Sequence, residues 1–201
     1  MEFQNNKIYE NNDLNTNEKK SSIRIGIIGR PNTGKSTLIN NIIGEKRLVT
    51  GVQAGITRDS IEVLWNYKNE QVSIIDTAGL RKKSKVTNIL EKDMVNDTLR
   101  TIKFSDICIL LIDVSKSIDK QDLNIARMII GEGRGLIIGA NMWDKIIDKN
   151  IIKEEIFYQL KNSLSQIKNI PIVFISGLHR QGLEELFEKV LDIKRRLSIR
   201  I

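Results

Sequence analysis

The segment GRPNTGKST, residues 29–37, has the residue types and spacing of a loop that binds phosphate groups. In its pattern G-x-x-x-x-G-K-[S/T], Gly29 and Gly34 allow a tight backbone path on which successive N–H groups face phosphate oxygens. Lys35 brings a positive charge to the β- and γ-phosphates, and the Ser36 hydroxyl is placed to bind Mg²⁺. We therefore predict that the whole segment binds the phosphates of a nucleotide: Gly29, Arg30, Pro31, Asn32, Thr33, Gly34, Lys35, Ser36 and Thr37.

A second polar motif, DTAG at residues 76–79, follows the apolar run QVSII. Asp76 is the expected carboxylate for the Mg²⁺ shell, and the N–H of Gly79 can donate to a γ-phosphate. On its own, D-x-x-G is most often a turn at the end of a strand. The phosphate-binding segment earlier in the chain favours a role at the nucleotide.

A third polar motif, NMWDK, begins at Asn141 directly after the apolar run GLIIGA. A carboxylate at Asp144 can accept two N–H groups from one edge of a guanine ring, and adenine cannot supply that pair. Buried hydrogen bonds lost with the wrong base penalise it heavily. A lone N-x-x-D is common in turns, but its position after the first two motifs indicates guanine.

The elements that must position these motifs alternate between strands and helices. Apolar runs predict six strands at residues 23–29, 61–67, 71–77, 106–114, 135–141 and 170–176, and helical spacing predicts helices near 35–44, 88–103, 119–130, 151–168 and 182–197. Such alternation is typical of a mostly parallel sheet covered by helices on both faces, while the short link KNE indicates an antiparallel hairpin. We therefore predict an α/β fold whose six-stranded sheet has one antiparallel edge strand. Ligands of such sheets bind at the carboxyl ends of strands, where the polar motifs fall.

Five segments together resemble the nucleotide-contact segments of translation-factor-related GTPases, most closely the second GTPase domain of the EngA (Der) ribosome-assembly GTPases. They are GRPNTGKSTLIN, TRDS, DTAGLRKKSKV, NMWDK and FISGLHRQGLEELF. The resemblance extends over residues 23–195 and implies a P-loop GTPase (Ras-like) fold, with Mg²⁺-dependent hydrolysis of GTP to GDP and phosphate.

The resemblance also implies roles for individual residues. Thr57 would be the switch I threonine that closes on Mg²⁺ and the γ-phosphate, so that Ser36, Thr57 and Asp76 hold the metal. Ser176 and Gly177 would make backbone contacts to the guanine. Met142 stands where the family has a lysine beside the base, and Gly177 stands where an alanine is usual. The implied switch residues are Thr57, Asp76, Thr77, Ala78, Gly79 and Leu80, and the implied catalytic residues are Lys35, Thr57 and Gly79.

Leu80 raises a separate question, because many related proteins have at this point a glutamine that orients the attacking water. Related GTPases with a hydrophobic residue here and an asparagine in the phosphate loop use K⁺ to stabilise charge. The resemblance implies that Asn32 holds K⁺ against the phosphates of GTP.

Composition and charge indicate the domain organisation and the kind of partner. Residues 1–22 hold six asparagines and almost no apolar side chains, which predicts a disordered linker or tail before a GTPase domain at 23–197. The formal charge of +7 favours an anionic partner, and the family suggests ribosomal RNA or the large ribosomal subunit. The basic run RKKSK, residues 81–85, is either a solvated loop or a contact for RNA or a neighbouring domain.

Residues 198–201 resemble the run into a C-terminal domain, so we expect a piece of a longer protein with a neighbouring GTPase domain and a C-terminal domain. No apolar run is long enough to span a bilayer, which predicts a cytoplasmic protein without membrane contact.

Two other functions stay open. A P-loop ATPase or kinase is disfavoured by Asn141 and Asp144, and a nucleotide-dependent RNA- or protein-binding module with little turnover is distinguished only by measuring phosphate release.

Overall fold

A computed structural model describes residues 22–44, 49–54, 61–68, 70–75, 91–165 and 169–198. These form a seven-stranded sheet with helices on both faces. The strands, in the spatial order β2-β3-β4-β1-β5-β6-β7, are β1 (Ile23–Ile28), β2 (Val49–Ala54), β3 (Ile61–Tyr67), β4 (Glu70–Ile74), β5 (Ile107–Asp113), β6 (Gly135–Asn141) and β7 (Ile172–Phe174). The helices are α1 (Lys35–Ile43), α2 (Glu91–Phe104), α3 (Lys120–Gly131), α4 (Lys149–Ser163) and α5 (Leu183–Ser198), with a 3₁₀ turn at Trp143–Lys145.

The central strand β5 shows why the chain folds this way. All seven of its residues are buried, and successive side chains of a strand point to opposite faces of the sheet. Ile107, Ile109 and Leu111 enter the core beneath α1 and α5, whereas Cys108 and Leu110 enter the core beneath α3 and α4. A strand buried on both faces has no polar side to turn outward, and a parallel sheet between two helical layers is the arrangement that accommodates it.

The predicted fold class is confirmed, with a difference in the sheet. It has seven strands because β2 adds to the outside of β3. The antiparallel strand β3 therefore pairs antiparallel with both β2 and β4 instead of forming the edge. Strand β2 was not predicted from the sequence, because its pairing with β3 shifts register between Val49 and Gly51. Such an irregularity interrupts the two-residue alternation by which a strand is predicted.

Two boundaries also differ from the sequence analysis. Helix α4 was expected over 151–168 but begins at Lys149 and ends at Ser163, where Leu164 leaves the helical conformation with φ −122°. Strand β7 covers only Ile172–Phe174 of the expected 170–176. No helix among the described residues has the length and apolarity needed to cross a membrane.

The parallel pairing of β1, β5, β6 and β7 brings the carboxyl ends of these strands to one edge of the sheet. The phosphate segment follows β1, NMWDK overlaps the end of β6, and the loop at 175–181 follows β7. The predicted site is therefore built on three strands that hold their loops beside one another.

Candidate functional site

The phosphate segment forms a loop between β1 and α1 that needs both of its glycines. Gly29 has φ +151°, and a Cβ there would lie 2.5 Å from the carbonyl oxygen of Leu111 in β5. Gly34 has φ +93° and ends the loop as the N-cap of α1. The Thr33 hydroxyl donates to the carbonyl of Arg30 at 2.9 Å and holds the loop closed.

Helix α1 presents an N-terminus suited to an anion. Among the described residues no side chain caps it, and its first turn holds no acidic residue. Lys35 folds back over the loop, where its Nζ donates to the carbonyls of Gly29 at 2.6 Å and Arg30 at 2.5 Å. Ser36 and Thr37 are exposed at the same end of the helix. Backbone N–H groups, the helix dipole and a lysine thus converge on one point, which is the arrangement that binds phosphate.

Arg30 ties this loop to the start of α3. Its Nε donates to Oδ1 of Asp122 at 2.9 Å, and a guanidinium nitrogen lies 3.2 Å from Oδ2 of Asp119. Asp122 is only 2% exposed, and its other oxygen accepts from the N–H of Asp119 in a capping box. The sequence analysis missed this contact. The spacing of DKQD at 119–122 signals a helix cap, but nothing in it identifies Arg30 as the partner.

Asn141 joins the phosphate loop to the loop after β7. Its amide Nδ2 donates to the carbonyl of Thr33 at 2.8 Å, and its Oδ1 accepts from the N–H of Gly177 at 2.8 Å. Asn141 is 3% exposed, so both hydrogen bonds are shielded from water. Its amide also occupies the space where a Cβ on Gly34 would lie, at 2.2 Å.

Asp144 lies in the 3₁₀ turn that follows Asn141. Trp143 anchors this turn: its N–H donates to the carbonyl of Ile175 at 3.1 Å, and its ring packs on Phe174 with centroids 4.5 Å apart. A hydrogen bond from the buried Ser176 hydroxyl is the main cause of a lowered pKa at Asp144. Its carboxylate is therefore ionised and ready to accept N–H groups at neutral pH.

Two residues at this end of the site were not assigned a role from the sequence. One is His179, whose Nε2 lies 3.8 Å from Oδ2 of Asp144. Asn41, in the last turn of α1, donates from its side chain to the carbonyls of Gly177 and Leu178. Both contacts join segments that lie more than thirty residues apart in the sequence. No local sequence pattern indicates such contacts.

The described residues thus bring together the phosphate segment 29–37, the asparagine and aspartate of NMWDK, and the loop containing Ser176 and Gly177. Met142 precedes the 3₁₀ turn with φ +66°, and its sulfur lies 3.5 Å from Nζ of Lys145. The predicted switch and metal residues at positions 57 and 76–80 lie outside the described residues, as does the basic run at 81–85.

The geometry has a counterpart in known proteins. Residues 24–142 match the family model described as "50S ribosome-binding GTPase". The chain belongs to this family of GTPases. Membership of this family accounts for the presence of a phosphate loop and an N-x-x-D motif at one sheet edge, and it confirms the predicted resemblance to GTPases.

Individual members of the GTPase family support this assignment. The chain is 45% identical over 193 residues to GTPase Der of Rickettsia africae, covering 93% of this chain and 43% of that protein. It is 49% identical over 173 residues to GTPase Der of Rickettsia typhi, covering 85% of this chain and 39% of that protein. The chain therefore spans less than half the length of these relatives. Their similarity confirms the resemblance to the EngA (Der) GTPases.

A solved GTPase structure also shares the fold. Era, in complex with MgGDPNP and nucleotides 1506–1542 of 16S ribosomal RNA, superposes with a TM-score of 0.64 at 26% identity. The match covers 85% of this chain and 56% of Era.

Proposed function

We propose that the domain binds GTP with its phosphates in the loop 29–37 and its guanine between NMWDK and the loop after β7. The observation that carries this proposal is the pair of buried hydrogen bonds through which Asn141 joins Thr33 to Gly177. They hold the phosphate and base segments at a fixed separation, and a single nucleotide can span such a pair of sites.

The chemistry of the described residues fits guanine and Mg²⁺. Asp144 offers an ionised carboxylate beside the Ser176 hydroxyl, which suits the two N–H groups on one edge of guanine. Ser36 offers an exposed hydroxyl at the N-terminus of α1, where it would hold Mg²⁺ together with the phosphates of the nucleotide. The metal would supply charge stabilisation for phosphoryl transfer. Asp76 and Thr57 are proposed to complete its shell from segments outside the described residues.

Base exchange tests the assignment of Asp144. GTP and GDP should displace a fluorescent GDP analogue, and ATP should not. Asp144→Asn should lose this preference and gain affinity for xanthine nucleotides, because xanthine has a carbonyl where guanine has an amine. Asp148→Asn is the matched control, because Asp148 is exposed at the start of α4 and makes no side-chain capping hydrogen bond there. This variant should bind as the unmutated protein does. Equal displacement by ADP and GDP in the unmutated protein would overturn the guanine site.

We further propose that the domain hydrolyses GTP as part of a longer protein acting in assembly of the large ribosomal subunit. The family's description, which names the 50S ribosome, supports the large subunit as the partner. The 16S ribosomal RNA held by Era supports contact with ribosomal RNA in general. Phosphate release should be measured with and without large ribosomal subunits. Stimulation by the subunits supports the proposal, and tight GTP binding without turnover in either condition would favour a binding module instead.

A further inference from the structure

Asn41 holds the base-side loop from the helix that begins at the phosphate loop. Its side-chain Nδ2 donates to the carbonyl of Gly177, and to that of Leu178 at 3.2 Å. Both acceptors are carbonyl oxygens, so only the nitrogen of the Asn41 amide can face them. The orientation of this side chain is therefore determined by its partners.

Gly177 is also held by a hydrogen bond from its backbone N–H. Its N–H donates to Oδ1 of Asn141 at 2.8 Å, so two asparagine side chains from two different elements fix the peptide groups on either side of this residue. The loop also lies close against α1, because a Cβ on Gly177 would sit 3.4 Å from Cβ of Leu38. The conformation of the loop is thus set by contacts to α1 and β6.

Helix α1 connects the hydrogen bonds of Asn41 to the phosphate loop. The N–H of Leu38 donates to the carbonyl of Gly34 at 2.9 Å, which continues the phosphate loop directly into helical hydrogen bonding. The six residue steps from Lys35 to Asn41 span about 9 Å at the helical rise. A helix of this length is a rigid spacer, so Asn41 fixes the loop at a set distance from the phosphates.

We propose that Asn41 is a positioning residue for guanine recognition. It aims the backbone N–H groups of the loop at the carbonyl oxygen of the guanine ring and keeps Ser176 beside Asp144. This inference rests on the proposed guanine site. Asn41 itself contacts neither base nor phosphate and acts through the loop that it holds.

The first measurement is GDP affinity in Asn41→Ala, with Asn40→Ala as a matched control. Asn40 is the neighbouring residue of the same helix and is exposed, so both variants make the same change in helix propensity. Asn41→Ala should weaken GDP binding about five- to tenfold through faster dissociation, as expected for the loss of side-chain hydrogen bonds to carbonyls. Asn41→Asp should weaken it further, because a carboxylate would face two carbonyl oxygens. Asn40→Ala should bind GDP as the unmutated protein does.

The second measurement distinguishes positioning from a general loss of structure. In 6-thio-GDP a sulfur replaces only the exocyclic carbonyl oxygen of guanine that the loop would contact, and sulfur is a weak acceptor. The unmutated protein should prefer GDP, and Asn41→Ala should bring the ratio of the two affinities toward one. A purely structural role would lower the melting temperature of the nucleotide-free protein and leave that ratio unchanged.

The two possible failures are separable. If the unmutated protein binds GDP selectively and Asn41→Ala keeps the same affinity and the same ratio, the positioning role of Asn41 is overturned. If the unmutated protein shows no preference for GDP over ADP, the guanine site itself is overturned, whatever Asn41 does.

Discussion

The side-chain amide of Asn141 lies against Gly34, and its nitrogen donates to the carbonyl of Thr33 at 2.8 Å. A residue of the base motif therefore forms part of the wall of the phosphate loop. Asn141 cannot move away from that loop without also losing its hydrogen bond to Gly177. The phosphate and base segments consequently form one rigid unit, and changes at their junction should affect binding of the whole nucleotide.

Gly34→Ala tests this junction. A Cβ at this position would lie 2.2 Å from Nδ2 of Asn141, and the backbone has φ +93°, which costs an L-residue about 1–2 kcal/mol. We expect GDP affinity to fall at least about tenfold, measured by calorimetry. Gly131→Ala is the control, because nothing lies within 4 Å of its Cβ position. Equal affinity in both variants would contradict the packing of Asn141 on Gly34.

Gly177→Ala should stabilise the folded protein. Its Cβ position lies 3.4 Å from both Oδ1 of Asn141 and Cβ of Leu38, which is ordinary contact, and its φ is not in the left-handed region. Alanine should therefore stabilise the protein by about 0.4–1 kcal/mol by restricting the unfolded chain, without loss of GDP affinity. Chemical denaturation measures this change.

Gly182→Ala is the contrasting variant for that experiment. Gly182 has φ +74°, and a Cβ there would lie 2.4 Å from the carbonyl oxygen of Phe174. This substitution should destabilise the protein by more than about 1 kcal/mol. Destabilisation of similar size in the Gly177 variant would show that the loop after β7 is not packed as described.

Asp122→Ala should be severely destabilising. The substitution removes the buried partner of Arg30 and the side chain that caps the N–H of Asp119. Breaking a buried ion pair from one side costs about 3 kcal/mol or more, whereas Asp192→Ala, which removes an exposed partner of Arg195, should cost under about 1 kcal/mol. Urea denaturation of both variants compares the two costs. Similar small losses would mean that Asp122 does not stabilise the phosphate loop through Arg30.

Ser176→Ala should change how GDP binding responds to acid. The Ser176 hydroxyl is the main reason that the pKa of Asp144 lies below its usual value of 3.8. A lowered pKa keeps the carboxylate charged down to a pH below the usual range, so guanine recognition is lost only as the pH falls through the lowered value. Without the hydroxyl the pKa should rise, so GDP affinity should begin to fall at a higher pH. Titration of a fluorescent GDP analogue toward pH 3 measures this, with exposed Ser165→Ala as the control. If GDP affinity falls at the same pH in both variants, the Ser176 hydroxyl is not the cause of the lowered pKa of Asp144.

The parts of the site that sequence could predict are those with local signals. Gly29, Gly34 and Lys35 act within one loop, and the buried runs on either side fix its place between β1 and α1. Contacts between distant segments have no such signal: Asn41 meets Gly177 across 136 positions. The strand β2 was missed for a different reason, since the register shift at Gly51 removes the alternation that marks a strand.

Asn32 is the residue through which we expect K⁺ to compensate for the leucine at position 80. It lies in the phosphate loop, exposed, with φ +66°, a conformation that asparagine tolerates better than most residues. Its side-chain oxygen can therefore serve a cation beside the phosphates, where phosphoryl transfer needs charge stabilisation. GTP hydrolysis should rise when K⁺ replaces Na⁺ at constant ionic strength, measured as phosphate release in the presence of ribosomal subunits.

The backbone at Asn32 also determines which variants test this role. Asn32→Gly accepts φ +66° without strain and removes the oxygen, so it should abolish the difference between K⁺ and Na⁺ while leaving GDP affinity nearly unchanged. Asn32→Asp keeps an oxygen and the same backbone preference, so it should retain a rate difference between the two salts. Alanine would confuse the two effects, because it adds backbone strain to the loss of the oxygen. Equal rates in K⁺ and Na⁺ for the unmutated protein would exclude the ion and leave hydrolysis to depend on Lys35, Mg²⁺ and the switch segments alone.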